Sequence, residues 1–298
     1  MQPWQIGQVA RPEPGLRVVL APNPSPMTHW GTNTFLLGEG NVAVIDPGPA
    51  SAPHLAAILA ALQPGERISH IFVTHAHLDH APLARPLADH SGAPVLAFGT
   101  APAGRSSRMA RLAGLGGGEG LDHGFAPDEV LAHGDCIAGN GWELQAVHTP
   151  GHLGGHLCFG WGDRLFTGDH VMGWAPSLVS PPDGDMTDYL QSLALLAAGP
   201  WRYGYAAHGT PITNLPARCA DLLAHRRSRE TAILAQLDRG PAGLDTLTRQ
   251  IYADVAPALL AAASRNLLAH LVDLEHRNEI AATPELSPQA RFSRKGQG

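Results

Sequence analysis

The stretch Thr74-His75-Ala76-His77-Leu78-Asp79-His80 places three histidines and an aspartate within six positions. Imidazole nitrogens and carboxylate oxygens are the usual ligands of zinc where thiolates are absent. Ile71-Phe72-Val73 precedes them, a short apolar run of the kind that makes a buried strand. If the strand continued, His75, His77 and Asp79 would share one face and His80 would point to the other. A turn after Thr74 would instead let all four line one rim, where they could hold two metals. A single histidine is usually a solvated surface residue. Four ligand-type side chains directly after a buried strand read as a metal loop.

Three later segments have the same form. His148-Thr149-Pro150-Gly151-His152-Leu153-Gly154-Gly155-His156 lies between apolar runs at 142–147 and 157–160. Thr167-Gly168-Asp169-His170 closes a run that begins at Arg164, and Tyr205-Ala206-Ala207-His208-Gly209 closes another. A ligand at the end of a strand is held in place by the scaffold beneath it. Asp46, at the end of the run Val42-Ala43-Val44-Ile45, reads as a residue that supports the metal ligands from behind.

The elements that must position these groups alternate. Strands are expected at 16–21, 31–38 and 42–45, with a hairpin turn at Gly38-Glu39-Gly40-Asn41. A helix follows at 54–62, then a strand at 68–74, a helix at 81–90 kinked by Arg85-Pro86, and a strand at 93–97. This is α/β alternation. Residues 101–124 interrupt it with a Gly-rich, Arg-dotted loop that is expected to cover the mouth of the site. After it β-structure returns.

Composition narrows the class. The 298 residues suffice for one large domain and a small one. A net charge of −6 argues against a general affinity for nucleic acid. The charge is uneven, with eleven basic against nine acidic residues in 215–298, but that is no basic patch. Cys136, Cys158 and Cys219 are too few and too far apart for a disulfide framework or a Cys-x-x-Cys zinc site. The start, Met1-Gln2-Pro3-Trp4-Gln5, does not have the form of a signal peptide, and no apolar run is long enough for a membrane span. A cytoplasmic protein is expected.

The order His-x-His-x-Asp-His, Thr-Pro-Gly-His, Gly-Asp and a late His-Gly resembles the metallo-β-lactamase-fold hydrolases over residues 15–214. The resemblance implies an αβ/βα sandwich of two mixed sheets with the site at their edge. It implies one metal held by His75, His77 and His152, a second held by Asp79, His80 and His208, and Asp169 bridging both. It places the ligand after the Pro-Gly turn, hence His152 and not His148. His156 is left as a structural hydrogen-bond partner and His170 as a pocket wall.

The tail resembles a winged helix, with helices at 215–236, 243–252 and 257–277 and a strand at 279–283. Together with Pro181-Pro182-Asp183-Gly184-Asp185-Met186, this is similar to the β-lactamase-like winged-helix hydrolases. The expected division is a catalytic domain at 1–214 and a winged-helix-like domain at 215–298 with a flexible end. Glutathione thioesterases of the fold keep a Lys and a Tyr soon after Gly-Asp, and Val171-Met172-Gly173-Trp174-Ala175-Pro176 has neither.

The activity implied is hydrolysis of an ester, thioester, lactone or phosphodiester. Two Zn2+ (or another divalent metal such as Fe or Mn), about 3.5–4 Å apart, share the attacking hydroxide. Asp79 and Asp169 orient it. Three alternatives stand beside this: a single-strand endoribonuclease, a mononuclear-iron persulfide oxygenase, and a non-catalytic nucleic-acid-binding protein. The partner is then a small ester or thioester, or single-stranded RNA. The tail could pack, dimerise or dock RNA, and in the last case Arg226, Arg227 and Arg229 would meet the phosphates.

Overall fold

The computed structural model describes residues 4–112 and 114–296. Residues 1–3, 113 and 297–298, parts of the N-terminal, loop and tail readings above, lie outside the described residues.

Two mixed sheets face each other. The first has strands β1 (Val9–Glu13), β2 (Leu16–Leu20), β3 (Asn33–Leu37), β4 (Asn41–Ile45), β5 (Arg67–Phe72), β6 (Val95–Ala97) and β7 (Glu129–Val130), in sequence order. It is antiparallel up to β4 and parallel beyond. The second has β8 (Cys136–Gly139), β9 (Trp142–His148), β10 (Leu157–Trp161), β11 (Arg164–Gly168) and β12 (Tyr203–Ala206) in reverse order. Only β11 and β12 pair in parallel.

Alternation explains the layers. Phe35, Leu37, Ala43 and Ile45 face the second sheet, where they meet Leu144, Leu157, Phe159 and Phe166. Leu36, Val42 and Val44 face outward and are covered by α1 (Ala52–Ala60) and α2 (Ala84–Ser91). Both faces are buried, so these strands read as continuous apolar runs. On the other side Val147, Cys158 and Leu165 are covered by α4 (Met186–Ala198) and the first half of α5 (Leu215–Leu237). This is the αβ/βα sandwich expected. Helix α2 begins later than the sequence suggests, so that Pro86 falls in the first turn, where no helical N–H is needed. Helix α4 was not foreseen; Asp185 caps it by accepting from Thr187 N.

The loop at 101–124 contains the short helix α3 (Ser107–Arg111) and is fastened on two sides. Arg105 and Gly118 N bond Asp183, while Ser106 and Arg108 bond Asp185. Leu78 N donates to Gly120 O and Asp122 N to Ala76 O, both at 2.8 Å, so the loop lies along the metal loop.

The tail packs α6 (Leu244–Ile251), α7 (Leu260–His276) and the end of α5 against a small sheet of β13 (Ala242–Gly243), β14 (Ile280–Thr283) and β15 (Arg291–Arg294). The end expected to be flexible is in part strand β15, because Phe292 turns fully inward between Arg291 and Ser293. Helix α5 joins both cores: Leu215, Cys219 and Leu222 lie in that of the sandwich, Ile233 and Leu237 in that of the tail. Arg226, expected among the phosphate contacts, is buried, bonded to Ser177 O and Asn266 Oδ1 and stacked on Tyr189. Arg229 donates to Ile251 O at 2.8 Å and stacks on Tyr252, and Arg227 is exposed. Among the described residues no helix is long and apolar enough to cross a membrane.

Leu268 and Val272 of α7 pack on Met109 and Leu115 of the loop. Leu268→Ala is expected to destabilise by about 2–5 kcal/mol and to free the loop. Urea denaturation and tryptic cleavage after Arg108 or Arg111 measure both. Unchanged stability and loop protection would mean that the tail does not hold the loop.

Candidate metal centre

The metal loop forms because β5 ends at Phe72 and the chain turns over 77–80, with His80 N and Ala81 N donating to His77 O at 3.0 Å. His152 stands in the turn between β9 and β10, Asp169 directly after β11 and His208 directly after β12. The two sheets are tied at this edge by Leu157 N donating to Thr74 O at 2.8 Å and Asn33 N to Ala207 O at 2.7 Å. Two glycines are needed here. A Cβ on Gly168 (φ +49°) would meet His156 Nε2 at 2.5 Å, and one on Gly151 (φ +139°) would meet Tyr189 Cα at 2.3 Å.

Two donor groups result. His75 Nε2, His77 Nδ1 and His152 Nε2 lie 2.9–3.2 Å from one another. Asp79, His80, Asp169 and His208 form the second group. Nε2 of His208 lies 3.2 Å from Asp79 and 3.3 Å from Asp169 Oδ1. The other Asp169 oxygen is 3.6 Å from His80 Nε2 and 3.7 Å from His152 Nε2, so this carboxylate touches both groups. All seven residues singled out from the sequence are thus brought together. His148 is not among them; it bonds Gly154 O at 2.8 Å and stacks on Phe98.

The ring orientations are fixed from behind. Asp46 accepts from Thr74 N and Thr74 Oγ1, each at 2.8 Å, and from His80 Nδ1 at 2.9 Å. Thr74 gives its one proton to Asp46, so it accepts from His75 Nδ1 at 2.9 Å. His152 Nδ1 donates to Leu178 O at 2.6 Å and His208 Nδ1 to Gly31 O at 3.1 Å. Each of these four rings therefore aims Nε2 into the site. Asp46 holds φ at +51°, a left-handed conformation that a short polar residue tolerates. His156 bonds Thr149 through Nδ1 at 2.9 Å and accepts from Asp169 N at 3.3 Å, which positions Asp169. Thr74 and Asn33 were not foreseen. Asn33 holds the turn that carries His208 by donating to Ala206 O and Gly209 O, both at 3.0 Å, and an asparagine in an apolar run is its only trace in the sequence.

Burial lowers the pKa of His75 well below its ordinary value, that of His77 to about 3, and that of His152 as well. These three are neutral, with lone pairs converging. Burial acts the same way on His80 and His208, but neighbouring carboxylates outweigh it. Asp79, Asp169 and Asp46 raise His80 well above the ordinary range, and Asp169 and Asp79 raise His208 to about 10. Nε2 of both, and Oδ1 of Asp169, are buried without a hydrogen-bond partner among the described residues. Neutral imidazoles, paired carboxylates and orphaned buried atoms fit divalent cations, which would displace the protons on His80 and His208.

A cavity of about 380 Å3 opens onto His77 and His152. Its other walls include Glu119 and Asp183, Met27 and Leu178, and Ala261 and Ala262 of α7.

The sequence profile of the metallo-beta-lactamase superfamily matches residues 27–201, and that of the beta-lactamase associated winged helix domain matches residues 244–285. The chain belongs to the metallo-β-lactamase superfamily, in the branch that carries this winged helix. The lactamase-like protein adaB of Aspergillus niger is 34% identical over 75% of this chain and 64% of its own length. The atrochrysone carboxyl ACP thioesterase AgnL7 of Paecilomyces divaricatus is 35% identical over 74% of this chain and 64% of its own. The chain thus spans somewhat under two thirds of these relatives. A metallo-beta-lactamase family protein of Thermus thermophilus, TTHA1429, shares the fold, with a TM-score of 0.75, 23% identity, and coverage of 95% of this chain and 99% of that one.

Asp46→Ala is expected to weaken metal binding about 10–100-fold, read by competition with a chromogenic chelator. Wild-type affinity would show that the rings hold themselves. His152→Ala should lose a cation while His148→Ala keeps the full complement by elemental analysis. The reverse would place the ligand before the Pro-Gly turn.

Proposed function

We propose that this protein is a hydrolase working with two divalent cations, zinc in this reading, and that its substrate is a thioester. The observation that carries the proposal is the pair of donor groups on either side of Asp169, with His80 Nε2, His208 Nε2 and Asp169 Oδ1 buried and without a hydrogen-bond partner among the described residues. His75, His77 and His152 would hold one cation, Asp79, His80 and His208 the other, and Asp169 both. Such a pair, when bound, makes a water acidic enough to attack near neutral pH and polarises a carbonyl oxygen. We keep the division into a catalytic domain at 1–214 and a winged-helix domain at 215–298 as part of the proposal.

The chain's own groups supply position and proton acceptance. Asp46 and Thr74 keep the rings from rotating, and Leu178 O and Gly31 O fix the tautomers of His152 and His208. Asp79, 27% exposed in its side chain, is the more open of the two carboxylates and can orient the attacking water by accepting its proton. Asp169, at 11%, lies deeper, between the two groups.

Two lines favour a thioester. AgnL7, at 35% identity, is named a thioesterase. A thiol of pKa about 8.5 leaves readily as thiolate, so cleavage asks for no strong general acid. The other readings find less support. A mononuclear iron centre would leave the second donor group without a role. RNA guidance loses Arg226 to the core and has Arg229 bonded to Ile251 O.

Metal-loaded protein assayed against thioester, lactone, oxygen-ester, phosphodiester and RNA substrates is expected to cleave the thioester fastest. A chelator should abolish the activity and zinc restore it. RNA cleavage with inert thioesters would overturn the proposal. Asp169→Ala is expected to lose most turnover and at least one cation, because two dications so close repel without a shared carboxylate. Normal metal content and turnover in that variant would remove the bridging role.

A further inference from the structure

A second cavity, of about 240 Å3, lies beside the one at the metal centre. The two share a wall of Met27, Leu178 and Ala262. The second is apolar where it runs on: Met172 and Trp174 come from the loop after Asp169, and Tyr252, Val255 and Leu259 from the tail. His225, Arg226, Arg229 and Asn266 also line it, with Arg226 bonded to Ser177 O and Arg229 to Ile251 O. The first cavity is different at its far end, where Glu119, Ser180, Asp183 and Arg265 supply polar groups. The space around the metal centre therefore has a polar arm that carries the carboxylates Glu119 and Asp183 and a largely apolar arm without carboxylates among the described residues, and α7 walls both.

We infer that the apolar arm is an acyl-binding subsite, built jointly by the catalytic domain and the winged-helix domain, for a medium or long apolar acyl chain. This rests on the thioesterase reading for the identity of the reacting group. The occupant follows from adjacency: a substrate with its carbonyl at His77 and His152 reaches the second cavity across the shared wall of Met27, Leu178 and Ala262. The thiol portion, which is polar in thioesters of soluble carriers, then takes the arm with Glu119 and Arg265. Met27 (43% exposed) and Trp174 (36%) stand at the surface over this arm, and such large apolar groups at a cavity rim mark a site for an apolar ligand. The methionines suit chains of varied shape, because thioether side chains repack easily. Ala262 sets the width of the passage. A larger side chain there closes it, whereas Ala258 and Ala261 line only the metal cavity.

The test uses metal-loaded protein and two uncleavable probes, S-decyl- and S-ethyl-N-acetylcysteamine, titrated calorimetrically. The decyl probe is expected to bind at least about tenfold more tightly, since each methylene that leaves water adds affinity. Ala262→Phe should remove most of that preference, and so should Leu259→Trp, which fills the cavity from the other side. Thermal melting identifies a variant that is not folded, and either variant alone suffices. In parallel, the ratio of kcat/KM for decanoyl over acetyl thioesters should fall about tenfold or more in the same variants. Equal binding of the two probes by the wild type, or an unchanged preference in both folded variants, would overturn the subsite. The two readings separate cleanly. Thioester hydrolysis without chain-length preference removes the subsite alone. A binding preference without hydrolysis of either thioester supports the subsite and removes the thioesterase reading.

Discussion

The centre is constrained by charge. Two carboxylates, Asp79 and Asp169, lie among histidines at the edge of the sandwich, and a third, Asp46, sits directly behind them. Anions in so little water must be matched by positive charge. Without a cation the only match is protons on His80 and His208, whose raised pKa values state that need. The first group has the opposite problem: three neutral imidazoles point lone pairs at one another 2.9–3.2 Å apart. Divalent cations would answer both at once, replacing protons in one group and filling the gap in the other. The rest of the architecture keeps these groups from relaxing away from each other.

That rigidity comes from where the ligands stand. Each stands in the loop that follows a strand, and the two sheets are bonded together at the same edge. Asp46 takes part twice, fixing His80 directly and His75 through Thr74. Its own left-handed backbone is the cost of reaching back over the end of β5.

Periodicity and ligand spacing made much of this readable in advance. Strands β2 to β4 are buried on both faces and carry apolar runs, and the ligand-type residues follow in an order few other folds would share. What could not be read depends on partners distant in sequence. Helix α4 carries Ser192 and Tyr189 on its buried side, and Tyr189 has its backbone against Gly151. Phe292 of β15 lies in a stretch rich in polar and charged residues and turns inward only because β14 offers it a place. Arg226 looks from sequence like one of three surface cations, yet its neighbours in space are Ser177 O, Asn266 and Tyr189. A charged residue on a long helix gives no local sign of which face the rest of the protein will cover.

The buried arginines also bear on what the tail does. Nucleic-acid docking needs a row of cations whose N–H groups are free for phosphates. Along this junction the donors are already engaged: Arg226 with Ser177 O, Arg229 with Ile251 O, Arg265 with Leu115 O, Pro181 O and Ser180 Oγ. Most of these acceptors belong to the catalytic domain and its loops, so the arginines join the domains more than they face solvent. Asn266 adds to the seam by accepting from Val179 N at 3.0 Å, and Asp273 by accepting from Thr187. A seam with so many specific bonds to the segments that carry Leu178 and Asp183 fixes α7 against the mouth of the metal centre. The tail is therefore a wall of the cavity at this centre, through Ala258, Ala261, Ala262 and Arg265.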